Sequence, residues 1–368
     1  MNHPEIIAFY LPQYHPTPNN DKWWGKGFTE WTNVGKAKKL FPGHQQPKIP
    51  ADLGYYDLRL PEIRQAQADL AKESGITGFC YYHYWFGNGR RELELPFNEV
   101  LKSGQPEFPF MLCWANESWH KKFWNAKGQG SSKEILVAQE YPGDEDIRNH
   151  FYTLLPAFKD PRYIKIEGKI AFMIYRPFDY EDVNQFIEKW QILAIKEGLP
   201  GFHFIAHTEK KLDKATLENY LTQGFSAVNT VRLMIARDNS LKPLSKLREK
   251  IRWRLKIPLI TNYKRAIEWF KSDIDLLPEI YPTIIPNWDH TPRSGRRGFV
   301  ITGSTPELFK RHAKEFIALI EKKRNPVLFL KSWNEWGEGN YMEPDLKYGK
   351  GYINALKDAL AEQNIIKS

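Results

Sequence analysis

At 368 residues, 42% hydrophobic and 26% charged, the chain has length for two ordinary domains or one large α/β barrel, and no apolar run nears the roughly 20 residues of a membrane-spanning helix. Its two cysteines, Cys80 and Cys113, exclude a disulfide framework and a zinc site made of cysteines alone. The formal charge of +9 comes from one segment, because 232–265 holds eleven Lys/Arg against two Asp/Glu while the rest is balanced, which argues against a nucleic-acid binder.

In chain order, β-rich apolar runs alternate with stretches of helical periodicity. The N-terminus lacks a basic stretch followed by an apolar one, so the chain reads as cytoplasmic. The first run, 6–11, ends in Pro12-Gln13-Tyr14-His15, and an insertion at 23–60 carries Trp23, Trp24 and Trp31. Pro61 then opens a helix with Ile63, Ala66 and Leu70 on one face. The second run, 75–82, leads into Tyr82-His83-Tyr84-Trp85 and a helix over 93–102. Runs at 108–114, 170–175, 201–206 and 226–230 end in Trp114-Ala115-Asn116-Glu117, Tyr175-Arg176, His207-Thr208 and Asn229, with helices expected over 146–158, 180–197 and 212–223. A second insertion, 232–277, precedes the run 283–287 and its Trp288-Asp289-His290. Ser304-Thr305-Pro306-Glu307 starts a helix over 306–323, and the last run, 327–332, ends in Trp333-Asn334-Glu335.

Eight strands, each followed by polar or aromatic groups, predict a single α/β domain over 1–368: a (β/α)8 TIM barrel with loop insertions after strands 1 and 6. Barrel enzymes build their sites at the C-terminal ends of the strands. Ten of the thirteen Trp fall in polar, loop-like stretches, the placement of a stacking platform for sugar or base.

The sharpest signal is Trp333-Asn334-Glu335-Trp336-Gly337-Glu338-Gly339-Asn340. On a helical turn, side chains three apart lie about 5–6 Å from one another at Cβ, nearer the carboxylate spacing of retaining glycosidases than the wider one of inverting enzymes. Each carboxylate also raises the other's proton affinity. Glu335 and Glu338 are therefore the catalytic candidates. His83 is either a ligand for a sugar hydroxyl, a proton relay or a satisfied polar residue, while Asn116 and Glu117 between Trp114 and Trp119 suit hydroxyl recognition, Glu117 being also a rival catalytic carboxylate. Tyr14, Trp31, Tyr82, Trp85, Tyr175, Arg176, His207, Trp288, Asn334, Trp336 and Tyr341 complete the expected substrate-binding set. His83, Asn116, Glu117, His207 and Asp289 lack any metal-ligand spacing, and no phosphate-binding loop occurs, so neither metal nor cofactor is expected. In 242–256, Leu244, Leu247, Ile251 and Leu255 recur at helical spacing among Lys246, Arg248, Lys250, Arg252, Arg254 and Lys256. That segment is either a basic amphipathic surface for anionic lipid or acidic glycan, 232–265 then touching the inner membrane, or a solvated barrel helix.

Four stretches together resemble the WbsX family, related to glycoside hydrolase family 99: Ala8-Phe9-Tyr10-Leu11-Pro12-Gln13-Tyr14-His15, Trp23-Trp24-Gly25-Lys26-Gly27-Phe28-Thr29-Glu30-Trp31, Gly78-Phe79-Cys80-Tyr81-Tyr82-His83-Tyr84-Trp85-Phe86 and Trp333-Asn334-Glu335-Trp336-Gly337-Glu338-Gly339-Asn340-Tyr341. The resemblance implies a (β/α)8 barrel acting on bacterial polysaccharide, often O-antigen or capsule. It implies a metal-independent retaining, mannosidase-like hydrolase, or alternatively a glycosyltransferase or transglycosylase of polysaccharide assembly. In the related hydrolases the first glutamate of Glu-Trp-x-Glu deprotonates the sugar's 2-hydroxyl and the second protonates the leaving oxygen, which falls on Glu335 and Glu338. This chain has Gly337 where those hydrolases often have His.

Overall fold

The computed structural model describes residues 4–122, 131–240, 251–252, 254–255 and 257–363. Eight parallel strands are present: β1 (Glu5–Tyr10), β2 (Gly78–Trp85), β3 (Phe110–Trp114), β4 (Lys169–Ile174), β5 (Phe202–Thr208), β6 (Ala227–Thr230), β7 (Ile280–Ile284) and β8 (Val327–Leu330). Each pairs with the next, and β1 pairs with both β2 and β8, so the sheet closes on itself. A ring of helices surrounds the strands, and among the described residues each strand is followed by one of its members: α1 (Pro61–Ser74), α2 (Leu95–Ser103), α3 (Asp144–Phe158), α4 (Val183–Lys196), α5 (Lys214–Thr222), α6 (Leu233–Ser240), α7 (Pro306–Ile320) and α8 (Gly351–Ala361). The fold is the (β/α)8 barrel that the alternation predicts.

The start signals act as their chemistry requires. Thr305 caps α7 by accepting a hydrogen bond from the Leu308 amide, with Pro306 in the first turn. α1 opens on Pro61 and stops at Gly75, whose φ of 88° favours a residue without Cβ. Among the boundaries that differ from the sequence reading, two have a visible cause in strand pairing. β2 runs on to Trp85 because Tyr84 and Trp85 pair with the short strand Arg91–Glu92. β7 starts at Ile280, three residues early, with Tyr281 and Pro282 held beside Asn229 and Thr230. α8, absent from the sequence reading, packs on α7 and α1 and completes the helical ring.

Inside and outside alternate strictly along the strands. In β2, Tyr82 meets Phe9 inside the barrel, with ring centroids 5.6 Å apart, while Tyr81 packs on Phe97 of α2 and His83 bonds His150 of α3. The register places Tyr82 beside Cys113 and His83 beside Trp114, so Trp114 shares the outer face with His83 and Trp85.

The segment between β1 and α1 carries the helices Pro18–Trp24 and Glu30–Gly35 over the barrel mouth. The hairpin Trp119–Lys122 with Ser131–Val137 and a small sheet of Leu259–Asn262, Phe299–Thr302 and Trp288–Asp289 are also present. Most of the basic helix expected at 242–256 lies outside the described residues, including Lys246, Arg248, Lys250 and Lys256. No helix among the described residues is long and apolar enough to cross a membrane.

The seam between β1 and β8 is fastened by Asn334, whose fully buried amide accepts from the Leu11 N–H at 2.7 Å and donates to the Leu11 carbonyl at 3.0 Å. Asn334→Leu leaves both backbone groups unpaired, and urea denaturation should register a loss of about 2–4 kcal/mol.

Candidate active site

A cleft of about 780 Å³ opens at the C-terminal ends of the strands, with Glu335 and Glu338 in its lining. The two glutamates belong to a tight hairpin in which Asn334–Glu335 pairs with Asn340–Tyr341 around the 3₁₀ turn Trp336–Glu338. Side chains three apart eclipse in 3₁₀ geometry, so both carboxylates leave the turn on one side.

Buried hydrogen bonds hold this turn from below. The Tyr14 hydroxyl donates to the Asn334 carbonyl and accepts from the Trp336 N–H. The Trp336 indole donates to Glu343 at 2.6 Å, and Glu343 also accepts from Gln67 at 2.6 Å and Tyr56 at 2.9 Å. Tyr341 stacks on Trp336 at 3.7 Å and donates to Asp345. Burial pushes the Glu343 carboxyl up to about 7, although its donors favour the charged form.

Arg293 joins the carboxylates from above. Its guanidinium donates to Glu335 at 2.9 Å, to Glu338 at 2.7 Å and to Glu30 at 2.8 Å. Asp289 fixes the loop that delivers Arg293, accepting from the Thr291 N–H and hydroxyl and from Gln46, with His44 at 2.9 Å. His290, stacked on Trp288, lies 3.6 Å from Glu338. Burial pushes Glu335 up to about 7; Arg293 pulls it down and Glu338 pushes it up again. A carboxyl with that proton affinity exchanges protons near neutrality, as acid–base catalysis needs. Among the described residues no three His, Cys, Asp or Glu side chains converge as metal ligands do.

Gly337 has no room for a side chain. A Cβ there would stand 1.8 Å from a carboxylate oxygen of Glu30 and 2.9 Å from Nε of Arg293. The space above the turn belongs to the Glu30–Arg293 pair.

The structure gathers Tyr82, Asn116, Glu117, Tyr175 and Arg176 with the two glutamates in the cleft lining. Asn116 has spent its amide on Tyr141 and on the Arg176 backbone, and Glu117 faces Arg176 at 3.2 Å. Tyr14, Trp31, Asn334, Trp336 and Tyr341 lie beneath the turn, the Trp31 indole donating to the Tyr56 carbonyl. His207 lies under Tyr175, stacked at 4.4 Å and bonded to Asn229, and burial holds its pKa down to about 3.

His83, Trp85 and Trp114 are on the outer face of the barrel wall. His83 bonds His150 at 2.8 Å, Trp85 stacks on His150 and donates to Asp146, and Trp114 donates to the Trp85 carbonyl. Burial drops His83 to about 3, leaving a neutral, satisfied histidine. Trp288 is buried beside His290, outside the cleft lining. The indoles that do line the cleft are Trp23, Trp24 and Trp119, with Phe28 and Tyr84. Trp23 meets Trp119 edge-on at 6.0 Å, and Trp119 meets Tyr84 at 5.0 Å. Glu30, Arg293 and Lys331 line it too and are absent from the sequence-derived set. For Lys331 a signal existed: it has the strand parity of Phe329, an interior residue.

The family described as Glycosyltransferase WbsX matches residues 6–356. An "Uncharacterized protein WxcX" from each of two strains of Xanthomonas campestris pv. campestris is 32% identical over 371 residues, covering 96% of this chain. The chain spans about half of those relatives, 49% of their length. Among solved structures, a "Glycoside hydrolase-like protein" aligns with TM-score 0.62 at 13% identity, covering 98% of this chain and 94% of the other. The GH99 endo-alpha-mannosidase from Bacteroides thetaiotaomicron aligns with TM-score 0.56 at 16% identity, covering 99% of both chains. At these identities the likeness is one of fold.

Crowding at residue 337 is directly testable. Gly337→Ala should lower stability by about 1–3 kcal/mol, the usual cost of overpacking. Combining it with Glu30→Ala should restore part of that loss, and a double-mutant cycle by chemical denaturation that returns strict additivity would remove Glu30 from this contact.

Proposed function

The chain belongs to the family described as Glycosyltransferase WbsX, and we propose that it is a retaining glycoside hydrolase acting on bacterial surface polysaccharide or oligosaccharide, with Glu335 and Glu338 as its catalytic carboxylates. The observation that carries this reading is their shared turn at the floor of an aromatic-lined cleft, joined by one arginine. The GH99 endo-alpha-mannosidase of the same fold supports it.

In the reaction, Glu335 takes the proton of the sugar's 2-hydroxyl as that oxygen attacks the anomeric carbon. The bond to the leaving oxygen breaks, and Glu338 gives that oxygen its proton. Water then opens the 1,2-anhydro sugar at the anomeric carbon and passes a proton to Glu338, while Glu335 returns its own to O2. Two inversions leave the configuration retained. Direct attack by Glu335 to form a glycosyl-enzyme uses the same pair of residues. In either route Arg293 touches both carboxylates, so it balances charge as protons move.

The family's description favours a second reading, transfer. The same intermediate delivered to a sugar hydroxyl in place of water makes a transglycosylase. Sizing the products from bacterial polysaccharides, with and without an added acceptor or nucleotide sugar, separates the two.

Glu335→Gln and Glu338→Gln should each reduce turnover at least ~100-fold. As the base, Glu335 works only when ionised, so kcat/KM should rise with pH through about 7. Arg293 lowers the proton affinity of Glu335, so Arg293→Gln should move that limb to higher pH. A pH–rate profile with no limb near neutrality would take the role of base from Glu335.

A further inference from the structure

Polar atoms with no protein partner mark where a ligand belongs, because a buried donor left unmade costs about 1–3 kcal/mol. Beneath the turn every named group is spent: the hydroxyls of Tyr10, Tyr14, Tyr56 and Tyr341 and the indoles of Trp31 and Trp336 all have acceptors. On the wall of the cleft beside Glu335 the reverse holds. Tyr82, Tyr84, Tyr175 and Lys331 all line the cleft. Neither the three hydroxyls nor the Lys331 ammonium hydrogen-bonds any described residue. Lys331 is only 3% exposed, its nearest carboxylate oxygen, on Glu209, is 4.0 Å away, and it faces the Phe9 ring at 5.9 Å.

The positive charge here resides on Lys331 and Arg176, with Glu209 beside Lys331 and Glu117, Glu335 and Glu338 in the same cleft lining. Arg176 lies over the Tyr175 ring at 5.1 Å and is engaged by Glu117. His207 adds none. The Asn229 amide nitrogen donates to Tyr281 and Thr283, so its oxygen faces His207 Nδ1, which must carry the proton of a neutral ring. An ammonium has three donors and no lone pair, so it takes only an acceptor. Buried this deeply, it gains most from an ionised one.

We propose that this wall, Lys331 with the hydroxyls of Tyr82, Tyr84 and Tyr175, receives the carboxylate of an acidic sugar, so that the unit held against Glu335 is a uronic acid. This rests on the glycosidase reading for its setting and names the substrate class of that same cleft.

Ligand-observed NMR on the full chain tests it with glucuronate and galacturonate against glucose and galactose, and with N-acetylneuraminate as a carboxylate on a different carbon. The uronates should bind at least ~10-fold more tightly than the neutral sugars and more tightly than N-acetylneuraminate. Lys331→Met should abolish that preference and Lys331→Arg should keep part of it. Should Lys331→Met not fold, the methyl ester of glucuronate makes the test on the ligand alone, and esterification should erase the advantage. Equal binding of acid and neutral sugars by the wild type, or a preference that survives the ester or Lys331→Met, overturns the proposal. A preference for N-acetylneuraminate over both uronates overturns the uronic assignment. Because binding is the readout, a protein that cleaves nothing still answers. Cleavage of glycans without any uronate preference would sink this inference and leave the glycosidase standing.

Discussion

A closed barrel gives each strand residue two destinations, the interior or the helical layer, and the register of β1 through β8 assigns every side chain to one of them. The rest of the molecule follows from that constraint. Phe9, Tyr82, His207 and Phe329 meet inside, and the interior positions next along the strands, Tyr84, Tyr175 and Lys331, emerge into the cleft. Tyr81, His83 and Trp85, neighbours of these in sequence, and Trp114, which pairs with His83, are turned to α2, α3 and α4, where they cement strands to helices. A one-residue slip in β2 would exchange the two sets.

Above this frame the site is a problem in charge balance. Three glutamates converge on one guanidinium that is itself largely out of water. Burying these ions is unfavourable unless they find hydrogen-bond donors, and Arg293 supplies one to each glutamate. The arrangement leaves one carboxyl, Glu335, poised near neutral pH while it stays fixed in direction. Glu343 under the turn shows the same use of burial for a different end: three donors aim at it, and it anchors Trp336 and with it the hairpin.

Much of this was legible in the residues. The eight runs, the barrel and the Glu335–Glu338 motif follow from periodicity and from polar groups at strand ends, because those signals are local. Which aromatic side chains face the cleft was not, since it depends on strand parity: Trp85 and Tyr84 are equally aromatic neighbours with opposite fates. Glu30 and Arg293 were invisible for another reason. They lie in short helices of the connecting segments 263 residues apart, and only the closed fold brings them to one point. Trp23 and Trp119 were visible as loop tryptophans, but their meeting needs the hairpin and the helix Pro18–Trp24 to be placed first.

The clasp of Asn334 on Leu11 joins positions 323 residues apart. Until synthesis has passed β8, β1 is an edge strand whose unpaired backbone invites association with other chains. Contacts of such long sequence separation form late and slowly, so no half-built barrel carries a partial site. Anything that delays the final strand, from a rare codon to a chaperone held too long, therefore withholds the assembled cleft and prolongs exposure to aggregation in the same interval.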